Sequence, residues 1–134
     1  MKPSLLLIFI LAGLYPRFLS AQAVSFCMDV KETGEMVNPS KSFIITKNGG
    51  TIKMLVNLEH KANAKKIIYK VYRVSDQGDQ YLDQTITDEV QPDWMWFYHD
   101  LLIRSPGNYA VFVYIEGTTT LLASGLVKIL AAKK

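Results

Sequence analysis

The chain has 134 residues, of which 49% are hydrophobic, and a formal charge of +3. Two of its basic residues, Lys2 and Arg17, lie within residues 1–23, a segment that holds no acid, so the remaining chain carries only +1. A charge this close to zero gives no electrostatic reason to expect nucleic acid, because nucleic-acid-binding proteins concentrate many Lys and Arg side chains on one face.

The N-terminus has the three parts of an export signal. Lys2 supplies the positive start, residues 5–15 form an apolar stretch, and Ala21-Gln22-Ala23 is a small-x-small cleavage site. The apolar stretch is too short to span a bilayer, which takes about 20 residues. We therefore predict a secretion signal peptide over 1–23, the leader, with cleavage before Gln22 as a close alternative.

The chain after the leader is the size of a single domain. Residues 24–134 make about 110 residues, enough to bury roughly 65% of the surface of the unfolded chain around one core. No second stretch is apolar enough for a transmembrane helix, so we expect an exported protein in the periplasm, at the cell surface or outside the cell.

Cys27 is the only cysteine of the chain. An internal disulfide is therefore impossible, although exported proteins meet an oxidising environment. Two interpretations remain open for this side chain: a buried structural thiol, or a thiol that forms an intermolecular disulfide with a partner.

After the leader, short runs of strand-forming residues alternate with turn residues, and none shows sustained helical spacing. Turn signals recur every eight to twelve residues or so, which is typical of sandwiches and barrels. We predict an all-β fold, an antiparallel β-sandwich of about seven or eight strands. In chain order the predicted strands cover residues 24–30, 42–46, 51–58, 67–74, 81–89, part of 91–103, 109–116 and 121–130.

Two turns carry specific expectations. Asn48-Gly49 is a strong hairpin signal and predicts that the strands on either side of it pair with each other. The turn that holds Asp76 and Asp79 lacks the spaced acidic ligands of a calcium loop, so we interpret it as a hairpin turn.

The segment "SPGNYAVFVY" is a Pro-Gly-x-Tyr turn that runs directly into an alternating strand. It resembles the penultimate-strand region of immunoglobulin-like and fibronectin-type-III-like domains, and the later "LLASGLVKIL" is similar to their closing strand. The resemblance covers about the last 35 residues. It implies an immunoglobulin-like architecture in which Tyr109 is the corner tyrosine that ties strand to loop, and it implies no particular ligand.

The sequence offers little for catalysis. It contains no Gly-x-Ser-x-Gly elbow, and neither His60 nor His99 has a second histidine or a cysteine at metal-ligand spacing. Carboxylates are numerous, but they are common on any protein surface. We predict a protein that is not an enzyme and has no metal and no cofactor.

The run "QPDWMWFYHD" is the most distinctive stretch. In a strand its side chains divide into two triplets: Trp94, Trp96 and Tyr98 on one face, and Met95, Phe97 and His99 on the other. A two-layer fold buries one face of each strand, so one triplet is either exposed or covered by a loop.

Two further aromatics, Phe112 and Tyr114, lie on the face of their strand opposite the expected core residues Val111 and Val113. If that strand pairs with the tryptophan run, all these aromatics form one exposed patch. The patch residues are Trp94, Trp96, Tyr98, Phe112 and Tyr114.

An exposed aromatic patch indicates binding. We expect a non-catalytic exported protein that acts through protein-protein contacts, with another protein or with itself, as an accessory or structural subunit of a cell-envelope or extracellular assembly. The alternative is a carbohydrate-binding module that stacks exposed Trp and Tyr rings on a glycan.

Overall fold

The computed structural model of the protein describes residues 22–133, which form ten strands and no helix. The all-β prediction is confirmed. The predicted leader lies outside the described residues except for its last two positions, Gln22 and Ala23. The strands are β1 (Gln22–Cys27), β2 (Asp29–Val30), β3 (Met36–Val37), β4 (Ser42–Ile45), β5 (Gly50–Asn57), β6 (Lys66–Val74), β7 (Gln80–Glu89), β8 (Trp96–Ile103), β9 (Gly107–Ile115) and β10 (Leu121–Ala131).

Seven of the strands follow one continuous hydrogen-bonded path in the order β7-β6-β9-β10-β1-β5-β8, and an eighth, β4, pairs with β10 outside this path. We call β7, β6, β9, β10 and β4 the large half, and β1, β5 and β8 the small half. The strands β2 and β3 form a separate two-stranded ladder, the β2–β3 hairpin.

The strand β1 connects the two halves. Gln22 and Ala23 pair with β10 in parallel, and from Val24 to Cys27 the same strand pairs with β5 in antiparallel fashion. Where it leaves β10 it passes close to Gly125, at which a Cβ would stand 2.6 Å from the carbonyl oxygen of Val24. A side chain at residue 125 would therefore block the crossing.

The strand pairing differs from that of the predicted antiparallel sandwich in two respects. Both β1 and β4 run parallel to β10, so the sheet is mixed. The path also curls continuously through β1 instead of dividing into two independent antiparallel sheets.

One hydrophobic core fills the space between the halves. It takes alternate residues from each strand, which is why the predicted alternation located them correctly. Ile52 and Leu101 contribute from the small half, and Val71, Val111 and Ile129 from the large half, each almost wholly buried.

The turn at Asn48-Gly49 forms, but it does not make the predicted hairpin. The Gly49 amide donates to the Thr46 carbonyl over 3.0 Å, and Gly49 has a φ of +93°. The strands on either side of the turn, β4 and β5, do not pair with each other. β4 pairs with β10, and β5 pairs with β1 and β8. The turn thus carries the chain from one half to the other.

No stretch within residues 22–133 is a helix long and apolar enough to cross a membrane. The first described residue, Gln22, already belongs to a strand. The folded part of the chain therefore includes the two residues that the predicted cleavage after Ala23 would remove.

Candidate binding surfaces

The tryptophan run lies at the start of β8, the strand that ends the small half. Phe97 points into the core with 3% of its surface exposed, whereas Tyr98 is 41% exposed. On the inward side His99 is half-buried, with its ring 5.7 Å from that of the core residue Tyr69. Within the strand, the predicted division into two faces is therefore observed.

Trp94 and Met95 depart from that division because they precede β8. Both are exposed, at 43% and 47%, although the prediction placed them on opposite faces. Their backbone carbonyls accept hydrogen bonds from Ala62 and Leu58, each over 2.8 Å. The loop after β5 thus fixes the backbone of this segment and leaves the side chains accessible.

Trp96 is half-buried, and the β2–β3 hairpin covers one part of its indole. Gly34, in the hairpin turn, lies so close to the indole that a Cβ there would stand 2.9 Å from Cε2 of Trp96. On its other side Trp96 stacks against Tyr98, with ring centroids 6.5 Å apart and planes 12° from parallel. Trp96 therefore supports the exposed Tyr98 ring and keeps only part of its own surface accessible.

Tyr98 also contacts Lys53 of the neighbouring strand β5. The Lys53 ammonium lies 5.8 Å from the centre of the Tyr98 ring and donates to Asp100 over 2.5 Å. That hydrogen bond raises the pKa of Lys53. The Tyr98 ring thus contacts the Trp96 indole and the Lys53 side of the Lys53–Asp100 ion pair.

A groove of about 450 Å³ opens beside these aromatic side chains. We call it the β8 groove; it is lined by Asp88, Glu89 and residues 94–98. The residues on one side belong to the end of β7, and those on the other to the start of β8 and the two residues before it. Trp94 and Tyr98 are its exposed rings.

Phe112 and Tyr114 do not join this groove. Their strand β9 lies between β6 and β10 in the large half, and β8 pairs with β5, so the condition for a single aromatic patch is not met. Phe112 packs edge-to-face on Tyr72 at 5.7 Å, and the Lys70 ammonium lies 5.6 Å from the ring of Tyr114. The five predicted patch residues therefore occupy opposite outer surfaces.

The outward side of the large half carries a second apolar surface. One row of paired positions crosses four strands, through Leu82, Tyr72, Ala110 and Leu126. We call this surface the aliphatic face; it comprises Ile44, Tyr72, Leu82, Phe112, Leu126 and Leu130. Its most exposed members are Ile44 at 69%, Leu126 at 68% and Leu82 at 58%.

The leucines and the isoleucine of this face were not among the binding residues predicted from the sequence. The signal was present in β10, where Leu126 and Leu130 alternate with the core residues Val127 and Ile129. Successive side chains of a strand point to opposite faces of the sheet, so a strand with apolar residues at successive positions exposes some of them when only one face is buried. Three cations share the outward side, Lys66, Lys70 and Lys128.

Cys27 is wholly buried on the outward side of the small half, beneath the β2–β3 hairpin. Hairpin backbone bonds close over it, including a 2.9 Å bond from the Met28 amide to the Val37 carbonyl. Burial raises the pKa of the Cys27 thiol. Of the two interpretations in the sequence, this geometry favours the structural thiol, since a partner's cysteine has no access to the sulfur.

Tyr109 makes the contact that the resemblance implied. Its hydroxyl donates to the Ser105 carbonyl over 2.7 Å and accepts from the Arg73 guanidinium, also over 2.7 Å. Arg73 additionally donates to the Pro106 carbonyl over 3.0 Å. The corner-tyrosine prediction is confirmed, and Arg73 is the partner that sequence reasoning missed.

Among residues 22–133, no three His, Cys, Asp or Glu side chains are grouped closely enough to hold a metal ion. His60 and His99 each direct Nδ1 to the carbonyl of the next residue, Lys61 and Asp100. Both imidazoles thus serve local backbone contacts.

No protein-family model and no curated protein matches the chain. Among solved structures it is similar to an immunoglobulin-like protein from Pseudomonas aeruginosa, with 12% sequence identity and a TM-score of 0.48. That match covers 78% of this chain and 90% of the other. The described residues by themselves show an all-β chain that has a corner tyrosine and two separate exposed apolar surfaces.

Proposed function

We propose that this chain is an exported, non-catalytic protein of immunoglobulin-like sandwich type that acts through protein-protein contacts, as an accessory or structural subunit of a cell-envelope or extracellular assembly. The observation that carries the proposal is the aliphatic face, in which Leu82, Leu126 and Ile44 are each more than half exposed. Several large apolar side chains exposed on one side of a sheet indicate an interaction surface on a soluble domain.

The chemistry of the aliphatic face favours a protein over a sugar. Leucine and isoleucine bury well against other apolar side chains, whereas glycans are recognised by flat aromatic rings and hydrogen-bonding groups. Lys66, Lys70 and Lys128 border the face. A partner of matching chemistry presents an apolar patch bordered by carboxylates, since opposite charges at the rim orient the two proteins.

Site-specific photo-crosslinking tests this proposal. A photoreactive phenylalanine at position 126, in cells that export the protein, is expected to form a covalent adduct with a defined protein of the envelope or medium. The same group at Gln77, an exposed residue of the β6–β7 turn that is not a member of the face, serves as the control. Leu126→Glu is expected to remove the partner from affinity-purified protein while leaving the β-sheet circular dichroism unchanged.

The proposal fails if position 126 crosslinks no more than position 77, or if the crosslinks are spread over many abundant proteins. Cell fractionation tests the export part separately. Full-length, uncleaved chain recovered from the cytoplasm would contradict it.

A second candidate function is carbohydrate binding, favoured by one observation: the β8 groove places the exposed rings of Trp94 and Tyr98 beside Asp88. Trp94→Ala is expected to abolish glycan retention if this function is correct, and Leu126→Glu to leave it intact. A glycan array probed with the purified chain measures both.

A further inference from the structure

The hydrogen-bonding pattern of β8 identifies which of its backbone groups are unused. The Leu58 amide donates to the Met95 carbonyl across the β5–β8 register. In an antiparallel ladder the bonded positions alternate, so Phe97, His99, Leu101 and Ile103 continue the bonding to β5. The backbone groups of Trp96, Tyr98, Asp100 and Leu102 therefore point away, to the free edge of the sheet.

The far end of this free edge is already protected by side chains. The Gln84 amide donates to the Leu102 carbonyl over 2.8 Å, which independently verifies the alternation. The His99 ring donates to the Asp100 carbonyl over 2.8 Å. Both carbonyls are therefore already bonded within the chain, and native sheets commonly protect their edge strands from pairing with other chains.

The near end lacks such caps. Within residues 22–133, no hydrogen bond is found for the outward amide and carbonyl groups of Trp96 and Tyr98. These two residues also line the β8 groove. The Gln84 contact joins the β7 and β8 edges at one end, and the groove is the opening that remains between them at the other.

Of the two carboxylates that line the groove, Asp88 lies on the inward side of β7. Asp88 pairs with the core residue Ile67 and so shares its inward face, whereas Glu89 pairs with Lys66 and shares the outward face. Asp88 accepts the Glu89 amide over 2.9 Å. Within the described part of the chain it has no ion-pair partner, since the two ion pairs there are Lys31–Glu35 and Lys53–Asp100.

We propose that the β8 groove binds an extended peptide segment of a partner protein, which adds to the free edge of β8 at Trp96 and Tyr98 and places a basic side chain against Asp88. Strand addition satisfies the unused backbone groups, and alternate side chains of the peptide enter the groove. The basic side chain supplies the oppositely charged partner that Asp88 lacks among residues 22–133. This interface is separate from the aliphatic face and shares with the proposed function only the premise of a protein partner.

The test uses the purified chain and a phage-displayed library of random twelve-residue peptides. Enriched peptides are expected to alternate apolar or β-branched residues with polar ones and to contain Arg or Lys. Amide hydrogen exchange by NMR is then measured with and without a synthetic copy of an enriched peptide. The amides of Trp96 and Tyr98 are expected to exchange fast in the free chain and at least tenfold more slowly in the complex.

Two pairs of variants separate backbone pairing and charge from side-chain contact. Tyr98→Ala and Tyr98→Pro both remove the phenol, but only proline removes the outward amide, so Tyr98→Pro is expected to bind about tenfold more weakly than Tyr98→Ala. Leu102→Pro, at the capped end, is the control for proline itself. Asp88→Asn is expected to weaken binding several-fold, and Asp79→Asn, with the same loss of charge at an exposed turn residue outside the groove, to have little effect.

The proposal is overturned if the library yields no enriched peptide, or if bound peptides leave the Trp96 and Tyr98 amides unprotected. It is also overturned if a glycan occupies the groove, or if sedimentation shows a dimer of this chain that Tyr98→Pro dissociates. Crosslinking from position 126 is unaffected by any of these results, and Leu126→Glu is expected to leave peptide affinity unchanged. The two interfaces can therefore fail independently.

Discussion

Gly34 lies against the indole of Trp96 at a distance that leaves no room for a side chain, since a Cβ there would stand 2.9 Å from Cε2. Its φ of +90° is also in the left-handed region. We expect Gly34→Ala to lower the free energy of unfolding by about 2 kcal/mol and to shift tryptophan fluorescence to the red as Trp96 is uncovered. Urea unfolding and acrylamide quenching measure the two effects.

Gly78 supplies the matched control for this substitution. Its φ of +91° is nearly the same, but nothing lies within 4 Å of the position of its Cβ. Gly78→Ala therefore reports the backbone strain alone. Equal destabilisation by the two variants, with unchanged fluorescence, would show that the hairpin does not hold Trp96.

Tyr109→Phe tests the corner contact. The substitution leaves the Ser105 carbonyl and one Arg73 donor without their partner, so we expect a loss of about 1–2 kcal/mol of stability by urea unfolding. Tyr81→Phe, at a 61% exposed tyrosine, is expected to change stability by less than about 0.5 kcal/mol. A Tyr109→Phe variant as stable as the parent would contradict the role of the hydroxyl.

The buried hydroxyl of Tyr69 is expected to make the stability of the fold depend on pH in the alkaline range. Its hydroxyl is buried without a hydrogen-bond partner among the described residues, and burial, helped by the charge of Asp88, raises the pKa of Tyr69 far above its ordinary value. Above the pKa of an unfolded tyrosine, about 10, the unfolded chain releases this proton and the folded chain keeps it. Stability is therefore expected to fall as pH rises beyond that point.

Tyr69→Phe removes both the titration and the unpaired hydroxyl. We expect the variant to be as stable as the parent or more stable at pH 7, and to lose less stability than the parent between pH 9 and about 11. Thermal unfolding across that range measures the difference. Identical pH profiles for the two proteins would disprove the assignment to Tyr69.

Cys27 is expected to be unreactive in the folded chain. Because the thiol is buried and burial raises its pKa, little thiolate is present at neutral pH to attack a disulfide reagent. Titration with a coloured disulfide reagent should label Cys27 within seconds in denaturant and at least a hundredfold more slowly without it. A covalent dimer on a non-reducing gel of native protein would instead support the intermolecular link.

The pairing of β1 predicts the position of signal cleavage. Because Gln22 and Ala23 pair with Ala123 and Ser124, we expect the exported protein to begin at Gln22. A purified chain that starts at Val24 should lose roughly 1–2 kcal/mol of stability with those hydrogen bonds. Intact-mass measurement of the exported protein decides between the two termini, and a mass that fits Val24 would contradict the expectation.

Local features of this fold could be predicted from sequence. Alternating apolar residues located the strands and the inward face of most of them, because that pattern depends only on the chain's own geometry. The prediction for Tyr109 succeeded for a similar reason, since its hydroxyl bonds a carbonyl four residues earlier. Contacts of this range are encoded within one short segment.

The contacts that determine which side chains are exposed join distant segments of the chain, and they could not be predicted from local sequence patterns. Trp96 is covered by Gly34, which is 62 residues away in the chain, and no periodicity links the two. Phe112 and Tyr98 have similar local patterns, yet strand order places them on opposite surfaces. The Asn48-Gly49 turn formed as predicted, but which strands then pair is determined by the whole sheet.

The position of β10 determines when the chain can finish folding. Strand β10 is the partner of β4 and of the start of β1. Both of these strands therefore lack one partner until β10 is available. During synthesis, which proceeds from the N-terminus at about 5–20 residues per second, neither segment has its final neighbour until Leu121–Ala131 has emerged. A nascent chain built this way stays incompletely folded at β1 and β4 until β10 has emerged from the ribosome.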